Sequence, residues 1–182
     1  MNYYITVSVI FLSTFIFISC DINNNVRTYK LAKVNKLNID VVNKSNRHIK
    51  LSWNKPDSWV ISSGSSMRIG SFDVPYNNGI GDLSVIKLQG DGGGITSNIN
   101  RWRGQLNLNS ISLSEIEKDL IFFEGNLGSY SVVEIYDSNN LNAFVCAIIP
   151  YGEATIFVKL SIQSNGIKQV RQSFIDFCSS LK

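Results

Sequence analysis

A chain of 182 residues, 44% hydrophobic and 17% charged, has the composition of a globular protein and excludes a mainly disordered one. Its formal net charge is +3 and it holds no run of five or more basic residues, so charge gives no case for a nucleic-acid partner. A mild positive balance is equally compatible with an anionic membrane surface.

First in chain order comes an almost purely apolar run over residues 7–18, and residues 1–19 carry no Lys, Arg, Asp or Glu. The run has the length of a signal-peptide hydrophobic region and is shorter than a usual transmembrane span. Ser19 and Cys20 close it. This ending resembles the bacterial lipobox, in which a small residue precedes a Cys that becomes lipidated. Phe17 stands where Leu is usual, Ile18 replaces Ala or Ser, and no Lys or Arg precedes the run. The resemblance implies cleavage after Ser19 and a lipid, palmitate among the acyl chains, on Cys20. An uncleaved N-terminal anchor and plain secretion are the alternatives. All three place residues 21–182 outside the cytoplasm, in the cell envelope or the periplasm. Two acyl chains already suffice for stable anchoring. The polar stretch Asp21-Ile22-Asn23-Asn24-Asn25 reads as a spacer. The expected organisation is a signal peptide over 1–19, a lipid-anchored N-terminus and spacer over 20–36, and one domain over 37–182.

Residues 37–42 and 48–53 alternate apolar and polar side chains and read as strands. A turn through Pro56 follows, with Trp53 and Trp59 at its ends. Residues 67–74 and 83–88 read as the next pair of strands, joined through 75–79. Gly90-Asp91-Gly92-Gly93-Gly94 stops the second of them. Residues 96–106 read as a helix, with Ile95, Ile99, Trp102 and Leu106 on one apolar stripe. Ser112-Leu113-Ser114-Glu115 is a capping-box pattern that opens a short helix through Leu120. Strands are then expected over 121–124, 130–136, 142–149 and 154–162. The turns between them are short, at 138–140 and 151–153, which favours antiparallel pairing. After Ser164-Asn165-Gly166, the spacing of Ile167, Val170, Phe174, Phe177, Cys178 and Leu181 predicts a final helix packed on the sheet. The order predicts an α+β domain with a central antiparallel sheet and helices against it.

Cys146 lies in an apolar run and Cys178 in the last helix, so both read first as buried, unbridged hydrophobes. A mutual disulfide is the alternative that the compartment permits. The single histidine, His48, finds no Cys-x-x-Cys or second His at ligand spacing. No metal, cofactor or triad chemistry is therefore indicated, and no catalytic residue is assigned.

One constellation points to binding. At about 100° per residue, Asn98, Arg101 and Gln105 share a helix side next to the apolar stripe, with Trp102 between polar strip and core. Gly92 and Gly93 belong to the turn ahead of this helix, where backbone N–H groups could converge on an anion. The plainer structural reading has the glycines make a sharp turn, Asn98 and Gln105 bond to nearby backbone, and Arg101 pair with a carboxylate.

The segment Trp53-x-x-Pro56-x-x-Trp59, then Met67–Phe72, Gly81–Leu88, Gly90–Gly94 and Asn98-Ile99-Asn100-Arg101-Trp102-Arg103-Gly104-Gln105-Leu106, resembles a group of uncharacterised secreted and lipoprotein domains of bacteria. The general layout is similar to the Mog1/PsbP class of folds, a central antiparallel sheet sandwiched by helices. The second resemblance implies a non-catalytic role in binding partners or assembling complexes.

Three functions stay open on this reading. The first is a lipid-anchored, non-catalytic module for an envelope protein partner of unknown identity. The second is binding of a small anionic ligand near the Gly90–Gly94 turn and the helix after it. The third is an unrecognised hydrolase. A flat exposed apolar patch favours the first, a concave pocket beside Arg101 the second, and a pair of close buried carboxylates the third. Oligomeric state is not legible.

Overall fold

The structure is a computed structural model, and it describes residues 51–182. The expected signal segment, the spacer, Cys20 and the strand over 37–42 lie outside the described residues.

Among the described residues seven strands form one antiparallel sheet: β1 (Val60–Ile61), β2 (Arg68–Tyr76), β3 (Gly79–Gln89), β4 (Ile121–Gly125), β5 (Gly128–Tyr136), β6 (Asn142–Tyr151) and β7 (Ala154–Gln163). Three helices join them: α1 (Ile95–Gln105), α2 (Leu113–Asp119) and α3 (Ile167–Ser180). The spatial order is β1-β2-β3-β7-β6-β5-β4. Two local hairpin ladders, β2–β3 and the meander β4–β5–β6–β7, are thus joined by the long-range pairing of β3 with β7, in which Val85 faces Val158. The predicted α+β class with an antiparallel sheet holds.

Strand alternation sends each side chain to one of two cores. On one face Val85, Val145, Val158 and Leu160 meet Val170, Phe174 and Phe177 of α3. On the other, Val133, Phe144, Cys146 and Phe157 meet Ile99 and Trp102 of α1 and Ile116 of α2. The sheet is therefore sandwiched between α3 and the α1–α2 pair. Cys146 and Cys178 are both buried free thiols, and they belong to the cores on opposite faces, so the sheet itself stands between them.

The helix starts follow local chemistry. The Glu115 carboxylate accepts hydrogen bonds from the backbone N–H of Ser112, at 2.9 Å, and from its hydroxyl, at 2.7 Å. These bonds tie down the first turn of α2 and hold the Glu115 carboxyl below its ordinary pKa. The α1–α2 connection is fixed by Asn100, whose side chain exchanges two 2.9 Å bonds with the backbone of Ile111.

Two expectations are corrected, and a third feature was not expected at all. The strand over 48–53 is not one in its described part. Ser52 instead exchanges backbone bonds of 2.8 and 2.9 Å with Lys182, so this stretch straps the C-terminus rather than joining the sheet. The link over 75–79 shrinks to Asn77-Asn78, and Pro75 lies inside β2 opposite Ile80. A proline is tolerated there because β1 reaches only as far as Asp73, so that among the described residues no strand pairs with the outer edge of β2 at Pro75. The third is β1 itself, a two-residue strand too short for any periodicity to reveal.

Candidate functional site

The two short helices α1 and α2 lie over the β7-to-β4 half of their face. Among the described residues no element covers the β1–β3 half, where Val60, Met67 and Ile80 are 60%, 63% and 68% exposed. The step between the edge of α1 and this open half forms a cleft of about 230 Å³.

Its walls come from four elements. Ile86 and Leu88 of β3 and Phe157 of β7 supply the apolar floor, and Trp102 of α1 the side. Trp102 is 3% exposed and stands edge-on to Phe157, with ring centroids 6.0 Å apart. Met67, just ahead of β2, lies at the mouth. The polar groups are Arg101 and Gln105 of α1, Lys159 of β7 and Ser84 of β3.

Lys159 sits in the middle of the sheet, paired with Ser84 on one side and Cys146 on the other. Its ammonium donates to Oε1 of Gln105 at 2.8 Å and lies 4.3 Å from the centre of the Phe144 ring. Burial beneath α1 lowers its pKa. Arg101 is exposed and donates to Oδ1 of Asn98 at 2.7 Å. Neither cation forms an ion pair with a carboxylate among the described residues. Asp82, the acidic group nearest in the same face's pattern, is engaged by Arg68 through two bonds of 2.7 and 2.8 Å.

That pair has a measurable signature. The Arg68 hydrogen bond holds the Asp82 carboxyl below its usual pKa. Its stabilisation is therefore present above the unfolded carboxyl value of about 3.9 and fades as pH falls through the lower folded value. Asp82→Asn should cost less than about 1 kcal/mol near neutral pH, because the pair is exposed. Urea melts of both proteins at descending pH should converge below the folded Asp82 pKa, and a constant gap across pH would refute this pairing.

The six sequence-predicted binding residues separate into two groups. Arg101, Trp102 and Gln105 line the cleft. Asn98 is 2% exposed and acts inward, its amide donating to the carbonyls of Gly92 at 3.0 Å and Gly94 at 2.8 Å. Asn98 therefore locks the glycine turn to α1 and positions Arg101. Gly92 has φ +63°, and a Cβ there would lie 2.4 Å from the Phe157 ring, so only glycine lets the turn close on the cleft floor. Gly93 is exposed with open space around it. The N–H groups of Gly90, Gly92, Gly93 and Gly94 are all taken, by Glu153, Gln89 and Asp91 acceptors. The groups in the cleft that could meet an anion are therefore Arg101 of α1 and Lys159 of β7, rather than the glycine turn.

Two local expectations are corrected by these bonds. Gln105 accepts from Lys159 instead of bonding nearby backbone, and Arg101 meets Asn98 instead of a carboxylate. Lys159 was not among the sequence candidates. Its signal was a lone charge inside the apolar strand Val158-Lys159-Leu160.

On the α3 face, Glu134 accepts from Arg171 Nε and Tyr136 Oη, both at 2.7 Å. Burial and the Glu134 carboxylate push the Tyr136 pKa up to about 12. This trio pins α3 to β5 with its groups mutually satisfied. Among the described residues no carboxylate is buried, and no group of three or more His, Cys, Asp or Glu gathers as a metal site would require.

Fold and site together define an α+β domain carrying an apolar cleft edged by two cations. No family model and no curated protein matches the chain. Several solved structures are similar to it. A protein of Bacteroides thetaiotaomicron shows 10% identity and a TM-score of 0.47, covering 72% of this chain and 44% of its own. The chain thus spans less than half of that protein. The cyanobacterial PsbP protein CyanoP of Synechocystis shows 15% identity and a TM-score of 0.45, covering 72% of this chain and 91% of its own. LpqN, involved in cell envelope biogenesis of Mycobacterium tuberculosis, shows 14% identity and a TM-score of 0.39, covering 72% and 82%. The PsbP class named from the sequence pattern is thus represented among them. At these scores the likenesses bear no weight for function, and the fold class rests on the strand order and layers above.

Proposed function

We propose that this protein is a non-catalytic binding domain, held on the outer side of a membrane by lipid on Cys20, whose cleft between α1 and β3 takes a small anion-bearing ligand. The observation that carries this reading is the presence of Arg101 and Lys159 at one apolar cleft with no carboxylate paired to either among the described residues. A cation kept partly buried beneath a helix without an ion-paired carboxylate, Asp82 being held by Arg68, is costly to hold, and an incoming anion offsets that cost. Ser84 and Lys159 both line the cleft, but the Ser84 hydroxyl donates to the Lys159 backbone carbonyl at 3.4 Å and the Lys159 ammonium to Gln105, so the two are not joined as nucleophile and base.

A second reading, a surface for an envelope protein partner, is favoured by the exposed Val60, Met67 and Ile80 on the open half of the same face. The two readings part on what the cleft binds when no other protein is present.

Two measurements test the proposal on the full-length protein. Cys20→Ser should shift it from the membrane fraction to the soluble fraction or leave it as an unprocessed precursor. Mass spectrometry of the wild-type mature N-terminus would overturn the anchor if Met1–Ser19 were still attached without lipid. In detergent micelles, titration with acetate followed by ¹⁵N chemical shifts should move Trp102, Gln105 and Lys159 and little else. Shifts scattered over all basic side chains would remove the cleft as the site.

A further inference from the structure

The composition of the cleft narrows the ligand beyond its charge. At about 230 Å³ it is smaller than the roughly 300–1,000 Å³ sites that take drug-sized molecules, so a whole lipid or a nucleotide does not fit inside it. Most of the lining is apolar: Ile86, Leu88 and Phe157 below, Trp102 beside, and Met67 at the mouth. Met67 is 63% exposed, and its unbranched thioether side chain can fold over whatever enters. A bare inorganic anion would leave these groups against water and gain nothing from them.

The charged edge is equally selective. Lys159 already spends one donor on Gln105, and Arg101 one on Asn98, which leaves each cation free to give further bonds. Those donors suit two oxygens of one carboxylate. A phosphate dianion needs more donors, and the backbone groups that would supply them in the Gly90–Gly94 turn are already bonded within the fold.

Building on the reading of the cleft as an anion-accepting site, we infer that its ligand is a compact apolar acid: one ring-sized or branched apolar group carrying a single carboxylate. A free carboxylic acid and the C-terminal residue of a polypeptide both present that chemistry. The apolar group lies on Phe157 and Trp102, and the carboxylate faces Arg101 and Lys159.

Titration calorimetry and ¹⁵N shift mapping on the full-length protein in micelles test this with defined probes. We expect 3-phenylpropionate to bind at least tenfold tighter than acetate, inorganic phosphate or 3-phenylpropionamide, with shifts at Trp102, Gln105 and Lys159. Lys159→Met keeps the apolar stem and Arg101→Gln changes an exposed side chain, so both should fold. Each should erase most of the preference for acid over amide. An acetylated tripeptide ending in Phe with a free carboxylate, beside its C-terminal amide, identifies the source. Tighter binding of the free-carboxylate peptide than of 3-phenylpropionate assigns a polypeptide terminus, and weaker binding a free acid. Acetate shifting the cleft while 3-phenylpropionate binds no better would overturn the inference and leave the anion site standing. Phosphate binding tighter than 3-phenylpropionate would do the same. If no probe moves the cleft resonances, or if acid and amide bind alike, the anion-accepting reading itself falls.

Discussion

Phe177→Ala should destabilise the domain by about 3–5 kcal/mol, the range for deleting a large buried aromatic side chain. Phe177 is fully buried at the centre of the α3 core. Its ring centroid lies 5.9 Å from that of Trp53, 5.2 Å from Trp59 and 5.6 Å from Phe72. Tilted and edge-on pairs at such separations add to the area term. The surrounding rings come from three places, the strap before β1, the turn that precedes it, and β2, so no single rotamer change can refill the hole. Trp53 lies in the stretch that Ser52 ties to Lys182, and α3 runs into that same strap through Ser180, whose hydroxyl accepts from Asn54 N–H at 2.8 Å. The loss should therefore loosen the C-terminal strap as well as the core. Urea unfolding should show a lower midpoint with little change in slope. A loss below about 1 kcal/mol would mean the cluster repacks, and the account of this core would be wrong.

This cluster also shows what the sequence could and could not display. The helical spacing of Val170, Phe174 and Phe177 was legible because a periodic stripe is a local property. The capping residues Ser112 and Glu115, three apart, were legible for the same reason. Hairpin turns at 138–140 and 151–153 announced their strands, since Asn and Gly mark positive φ, seen at Asn140 and Gly152. Long-range pairing left no such mark. Nothing between residues 89 and 154 says that β3 will lie against β7, yet that pairing sets Ser84 beside Lys159 and makes the cleft. The helix half of the site was read from one turn-to-turn pattern, which is why Arg101, Trp102 and Gln105 were found. The sheet half was scattered over β3, β7 and Met67, and it became visible only once the strands were ordered. Asn98 follows the plainer of the two readings, in which its side chain bonds to nearby backbone. It shares a helix side with Arg101, but periodicity cannot tell a polar residue that faces solvent from one that turns inward to cap a glycine turn.

Trp102→Ala should cost about 3–5 kcal/mol, and its neighbour Arg101→Ala less than about 1 kcal/mol, although the two side chains line one cleft. Trp102 is 3% exposed and joins Ile99, Leu106 and Phe157 in the core beneath α1. Removing it leaves a hole between α1 and the sheet that a short helix cannot close by shifting. α1 is held by Asn98 on the glycine turn before it and by the mid-helix Asn100 on the backbone of Ile111 after it. Arg101 donates one hydrogen bond to Oδ1 of Asn98, while the amide nitrogen of Asn98 donates separately to two carbonyls, so removing the exposed guanidinium leaves the two bonds that lock the glycine turn in place. Its loss should leave the fold intact or slightly firmer, since binding sites are commonly built at some cost in stability. Thermal and urea melts of the two variants, run beside 3-phenylpropionate titrations, separate the roles. Arg101→Ala should bind weakly with a near-normal midpoint. Trp102→Ala should lose both, and about as much stability with ligand as without. A strongly destabilised Arg101→Ala protein would make the guanidinium a structural clamp on Asn98, and the case for an anion at this edge of α1 would then rest on Lys159 alone.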